Sequence, residues 1–205
     1  MARLTTAQMH EHCERLLRAD RAFRGIVRDA ALCPFGRVRP TSTHFESLVR
    51  AVTAQQVSTA AARSIFAKLV AAVGGEMTPE SVDAAPHEAL RAAGLSAAKT
   101  RTVSELATAA TSGAIDFRTL ARRRDETIVA ELTSVHGIGR WTAEMFLMFQ
   151  LGRLDVWPVG DLAVRRGWDN LHRPAPQVTP STLTALGERF RGYRSVAAWY
   201  CWRAS

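Results

Sequence analysis

Two short stretches hold residue types that can do chemistry, and a third carries aromatic rings suited to binding. In Val135-His136-Gly137-Ile138-Gly139-Arg140, paired glycines permit a turn too sharp for side chains, and Trp141 to Gln150 resumes helical spacing after it. A helix leaving such a turn exposes its first backbone N–H groups at the positive end of its dipole, where a phosphate is the natural guest. In Asp155-Val156-Trp157-Pro158-Val159-Gly160-Asp161, proline and glycine stop the chain and redirect it just before an acid. Asp161 then has two readings: a cap for the helix that follows, or a carboxylate held in place for catalysis. The spacing leaves both open. Near the C-terminus, Trp199 and Trp202 stand three apart on a helix. Indoles so placed pack cores, and they also stack on cationic ligands.

The elements that must position these residues are helices, and no segment alternates as a strand should. Helical spacing is expected over Thr6–Ala19, Arg21–Ala31 and His44–Thr53, with Phe45, Leu48, Val49 and Val52 on one stripe. Ser58 is placed to cap a long Ala-rich helix that Gly74-Gly75 stops. Further helices start at Thr78-Pro79, His87 and Ser96, a short one spans Asp116–Ala121, and Asp125 is expected to cap the helix entering the glycine turn. Past Asp161 one helix reaches about Leu171, another starts at Thr179-Pro180, and Ser195 is expected to cap the last. The fold class is therefore all-α. The expected organisation is two helical lobes flanking a cleft: residues 44–152, and residues 1–43 together with 153–205.

Composition narrows the partners. The chain has 205 residues, 27 Lys and Arg against 19 Asp and Glu, and a net charge of +8. A balance this basic points to a polyanion, and nucleic acid precedes a membrane surface because no basic amphipathic helix or lipidation motif appears. Cys13, Cys33 and Cys201 are three and widely spaced, so no Cys-x-x-Cys pattern supports zinc or an iron–sulfur cluster. His10, His12 and Cys13 do not share one helical face, and the two histidines read as solvent-exposed rather than as metal ligands. With no signal peptide or membrane span in view, a cytoplasmic, nucleoid-associated protein and a monomer are expected.

The run Val135 to Ala143 followed by Asp155 to Asp161 resembles the helix-hairpin-helix and Gly/Pro…Asp signature of the base-excision DNA glycosylases, and is most similar to the DNA-3-methyladenine glycosylase II family. The likeness covers the chain from about His44 onward and looks like a minimal form without the family's N-terminal β-rich subdomain. It implies a glycosylase that flips an alkylated base, of the 3-methyladenine or 7-methylguanine type, out of damaged double-stranded DNA and hydrolyses its N-glycosidic bond. Asp161 would be the catalytic carboxylate, stabilising an oxocarbenium-like sugar and orienting water. Where bifunctional relatives place a nucleophilic lysine, this chain has Trp141, so the resemblance implies no lyase step.

The same likeness assigns Trp141, Met145 and Trp202 to the base pocket. It assigns Gln55, Gln56, Val57 and Ser58 to the loop that enters the minor groove, with Gln56 as the wedge that fills the emptied stack. Gly137, Gly139 and Arg140 would meet the DNA backbone; from their charge alone, Lys99, Arg101, Arg165 and Arg166 are candidate phosphate contacts or, each taken singly, solvated surface charges. The carbonyls of Thr133, Val135 and Ile138 would hold a structural monovalent cation, sodium or potassium; no cofactor for catalysis is implied. Two other readings stay open: a glycosylase of the same fold for oxidised or deaminated bases, and a helix-hairpin-helix DNA-binding module without catalysis.

Overall fold

A computed structural model describes residues 3–205. Among them are twelve α-helices and no strand. The first is α1 (Thr6–Ala19), closed at its start by a reciprocal capping box of Thr5 and Gln8 and burying Met9, Cys13 and Leu16. A single helix expected over Arg21–Ala31 divides in two. The Asp20 carboxylate accepts from the Ala22 N–H, winding a 3-10 turn (Arg21–Phe23) ahead of α2 (Arg24–Asp29).

The next helices are α3 (His44–Ala54), capped by Thr43, and α4 (Thr59–Ala72), capped by Ser58. After them come α5 (Pro79–Asp83), α6 (His87–Ala92) and α7 (Ala97–Thr111), the last capped by Ser96. The helical pair α8 (Asp125–Thr133) and α9 (Arg140–Met145) flanks the glycine turn, and α9 runs on as a π-helical turn, Phe146–Gln150. The series closes with α10 (Leu162–His172), α11 (Pro180–Gly187) and α12 (Arg194–Ala204). No helix among the described residues is long and apolar enough to cross a membrane.

Three local expectations are corrected. Over Asp116–Ala121 only a 3-10 turn forms, at Leu120–Arg122; the Asp116 carboxylate bonds the Arg118 N–H and the Thr119 hydroxyl, which favours a turn over a helix. Asp125 is the first helical residue of α8 and Arg124 takes the cap position without a side-chain bond. Ser195 lies inside α12, fully buried, and its hydroxyl accepts from the Val156 N–H at 2.9 Å. It ties the loop before Asp161 to α12 instead of capping that helix.

The chain divides into two compact units. The continuous one is Pro40–Phe146, where α3 packs on α4 and α7 around Phe45, Leu48, Leu69, Leu90 and Leu106. The discontinuous one joins Met1–Arg39 to Leu147–Ser205, and its spine is α10 against α12. Residues 147–152 thus lie with the discontinuous unit and not with the hairpin lobe where residues 44–152 were expected. The tie is local: Gly36 and Gly152, both at positive φ, sit back to back, and Phe149 packs edge-on against Phe35 at 5.0 Å between centroids.

Candidate active site and nucleic-acid interface

Asp161 occupies the N-cap of α10, and Leu162 opens the helix behind it. Its Oδ1 accepts two hydrogen bonds, from the Val164 N–H at 2.9 Å and from the Trp202 indole Nε1–H at 3.1 Å. Asp161 as a residue is 8% exposed. Asp161 is thus the cap that the spacing allowed, and the same carboxylate also reaches an indole at the far end of the chain.

One close approach and three bonds bring α10 and α12 to that distance. Gly167 faces the backbone of Cys201 so closely that a Cβ there would overlap the Cys201 carbonyl. The segment leading to Asp161 is fastened to the start of α12 by the Ser195 hydroxyl, by the Ser195 N–H bond to the Leu154 carbonyl at 2.9 Å, and by the Arg194–Asp155 ion pair at 2.6 Å.

Around Trp202 lies a ring cluster. Phe149 is tilted against it at 5.7 Å, Phe35 meets it edge-on at 6.4 Å, and Phe35 also meets Trp199 at 5.7 Å. Phe149 is 52% exposed, although its ring is apolar and well packed on one side. It projects from the π-helical turn, a distortion that recurs at functional sites. Phe35 and Phe149 were not singled out from the sequence. The first sits in a Pro/Gly break and the second in an apolar helical run, and neither context advertises a stacking surface. Trp199, by contrast, is anchored through its indole N–H to the Ala31 carbonyl at 3.0 Å and covered by Arg203, which makes it a structural member of the cluster.

The continuous unit carries the residues predicted for the hairpin and for the loop after α3. Gly137 stands at φ +82°, and a Cβ there would overlap the Thr102 hydroxyl. Glycine is required at 137 by both backbone and space. Gly139 differs: it is the N-cap of α9 at φ −86°, and a Cβ would meet open space. The fold does not demand glycine at 139; what glycine leaves there is uncovered backbone N–H at a helix start. Trp141, 49% exposed, and Met145, partly buried, lie one turn apart on α9. Ile138 N–H donates to the Val135 carbonyl at 3.1 Å, closing the turn, and the Thr133 hydroxyl donates to the Val129 carbonyl at 2.8 Å.

In the loop after α3, Gln55 is the C-cap and donates through Nε2 to the Gly137 carbonyl at 3.2 Å. Exposed Gln56 holds φ +55°, a left-handed conformation disfavoured for any residue with a Cβ. Val57 is exposed, and Ser58 is committed to capping α4.

Several expected phosphate contacts have partners inside the protein. Arg140 pairs with Glu126 at 3.0 Å and Glu144 at 3.1 Å, and these carboxylates raise its pKa. Arg101 pairs with Glu105 at 2.6 Å. Lys99 donates to the carbonyls of Thr53 at 2.9 Å and Gln55 at 2.6 Å, and partial burial lowers its pKa. A lysine so engaged orders protein backbone and is not a free cation. Arg166 is exposed on α10.

Residues 49–191 match the family described as HhH-GPD superfamily base excision DNA repair protein. Over 164 residues the chain is 39% identical to DNA-3-methyladenine glycosylase 1 of Schizosaccharomyces pombe, covering 78% of this chain and 72% of that protein. The crystal structure of a DNA-3-methyladenine glycosidase from Bacillus halodurans superposes with a TM-score of 0.83 at 33% identity, over 94% of this chain and 88% of that one. The Schizosaccharomyces pombe 3-methyladenine glycosylase in complex with abasic DNA superposes with a TM-score of 0.81 at 33% identity, over 94% and 95% of the two chains. The chain therefore belongs to the HhH-GPD superfamily of base excision DNA repair proteins.

Proposed function

We propose that the protein is a monofunctional DNA glycosylase that extrudes an alkylated base, of the 3-methyladenine or 7-methylguanine type, from duplex DNA and hydrolyses its glycosidic bond. The observation that carries this reading is the carboxylate of Asp161, oriented by α10 and by the Trp202 indole beside a ring cluster. Breaking the bond between C1′ and the base nitrogen leaves positive charge on the sugar. An ionised carboxylate fixed beside that carbon lowers the barrier without reorganising during the reaction. The same carboxylate orients the water that attacks C1′.

An alkylated purine already carries positive charge, so the electron pair of the breaking bond neutralises it and the base departs without a strong general acid. That chemistry needs one carboxylate. Trp202 and exposed Phe149 supply electron-rich faces against which a cationic base gains about 0.5–2 kcal/mol over its neutral parent. Trp141 cannot form a Schiff base, which supports hydrolysis without strand cleavage.

DNA is held, on this reading, by the backbone N–H groups that open α9 at Gly139 and Arg140, while Gln56 and Val57 fill the vacated stack. The carbonyls of Thr133, Val135 and Ile138 are uncharged hard donors. Val135 keeps one lone pair after accepting from Ile138, so the set suits a sodium or potassium ion. The protein acts as a monomer on chromosomal DNA. Duplexes that each carry one defined lesion, assayed for free base and for abasic sites, test the reading. Release of alkylated bases with intact strands is expected. Release of only oxidised or deaminated bases, or of none, contradicts it.

A further inference from the structure

Lys99, Thr102 and Glu105 are spaced by three along α7, so one face of that helix carries all of them. Each engages one of the two segments read above as DNA-contacting. Lys99 Nζ bonds the carbonyls of Thr53 and Gln55 at 2.9 and 2.6 Å, at the root of the wedge loop. Thr102 lies directly under Gly137. The Glu105 carboxylate accepts the His136 N–H at 3.2 Å while Arg101 steadies its other oxygen at 2.6 Å. The Gln55 side chain closes the circuit on the Gly137 carbonyl at 3.2 Å.

Gln56 sits at the tip of this arrangement in a left-handed conformation that a free chain would abandon. Something must hold it, and among the described residues Lys99 gathers the carbonyls on both sides of Ala54. Partial burial also depresses the lysine's pKa, as expected for an ammonium that has given up water for two backbone oxygens.

We propose that Lys99 is a positioning residue: it locks residues 55–58 in the shape that fills the hole left by an extruded base, in fixed register with the glycine turn of the hairpin. The inference rests on the glycosylase reading, but its first test does not. A wedge held in advance spares the cost of ordering the loop at the moment of flipping, so it matters most when the lesion must leave an intact base pair.

In the free protein, amide exchange at Gln55, whose N–H bonds the Val52 carbonyl at 3.3 Å at the root of the loop, should rise at least about tenfold in Lys99→Met while α7 keeps its protection. Unchanged exchange there overturns the proposal, whatever the enzymology. Single-turnover release of 7-methylguanine is then compared between a duplex pairing it with cytosine and one placing it opposite an abasic analogue, where extrusion is cheaper. The expected result is about a tenfold loss for Lys99→Met on the paired duplex, under threefold on the unpaired one, and recovery in Lys99→Arg, which keeps the donors. Equal loss on both duplexes, or no loss on the paired one, overturns it. Should the wild-type protein release no alkylated base from either duplex, the glycosylase reading fails while the exchange result still decides whether Lys99 holds the loop.

Discussion

The Oδ1 atom of Asp161 accepts the indole N–H of Trp202 across 3.1 Å, joining a helix cap to a residue 41 positions later. The bond fixes one oxygen of the carboxylate and, with the Val164 N–H, sets the plane of the group. Such a carboxylate is oriented before any substrate arrives.

Removing only that bond is therefore informative. Trp202→Phe keeps an aromatic ring against Phe149 and deletes the donor. Hydrogen bonds to charged groups contribute roughly 1.5–3 kcal/mol, so single-turnover base release should slow by about tenfold or more. An unchanged rate shows that the indole N–H does not orient the acid.

Helix spacing behind the site rests on Gly167. Any Cβ at that position overlaps the Cys201 carbonyl, so Gly167→Ala must push α12 from α10 and lift Trp202 away from Asp161. Overpacking of this kind costs about 1–3 kcal/mol. Thermal unfolding should fall by several degrees, and base release should fall further than the loss of folded protein explains. A variant with wild-type melting and rate contradicts the close-approach role.

The two hairpin glycines should separate cleanly. Gly137→Ala combines a positive φ with overlap on Thr102 and is expected to lower stability measurably. Gly139→Ala meets open space and an ordinary φ, so it should melt like the wild type. Its methyl group stands where a phosphate would approach, and affinity for duplex DNA in a fluorescence-anisotropy titration should drop about tenfold, the size of one lost charge-assisted contact. Equal melting of both variants, or full DNA affinity in Gly139→Ala, contradicts this division.

Much of this was legible in the residues themselves, and the reasons differ by element. Helix limits marked by capping residues, such as Thr6–Ala19 after Thr5 and Thr59–Ala72 after Ser58, are written locally, because a hydroxyl beside an apolar period has one good use. Asp161 and the glycine turn are local too. Ser195 and Asp125 misled because a polar residue near a helix start looks like a cap whatever it bonds.

Long-range partners left no local trace. Nothing near Lys99 names the carbonyls of Thr53 and Gln55 as its acceptors, and nothing near Phe149 names Phe35 as its neighbour. An isolated basic residue reads as solvated and an isolated phenylalanine as core; only the packing of distant segments changes those roles. The boundary of the discontinuous unit at Phe146 is not written locally either, because Gly152 meets Gly36 from a distant segment.

The central claim is that one oriented carboxylate performs the hydrolysis. Asp161→Asn keeps the oxygen that accepts from Val164 and Trp202, so the cap and the fold should persist. Single-turnover release of 7-methylguanine from a duplex, measured beside affinity for a duplex carrying an abasic analogue, tests the claim most directly. The account predicts a loss of at least about a hundredfold in release, with affinity kept within about threefold, since binding rests on backbone contacts elsewhere. Release by the variant at the wild-type rate would contradict it.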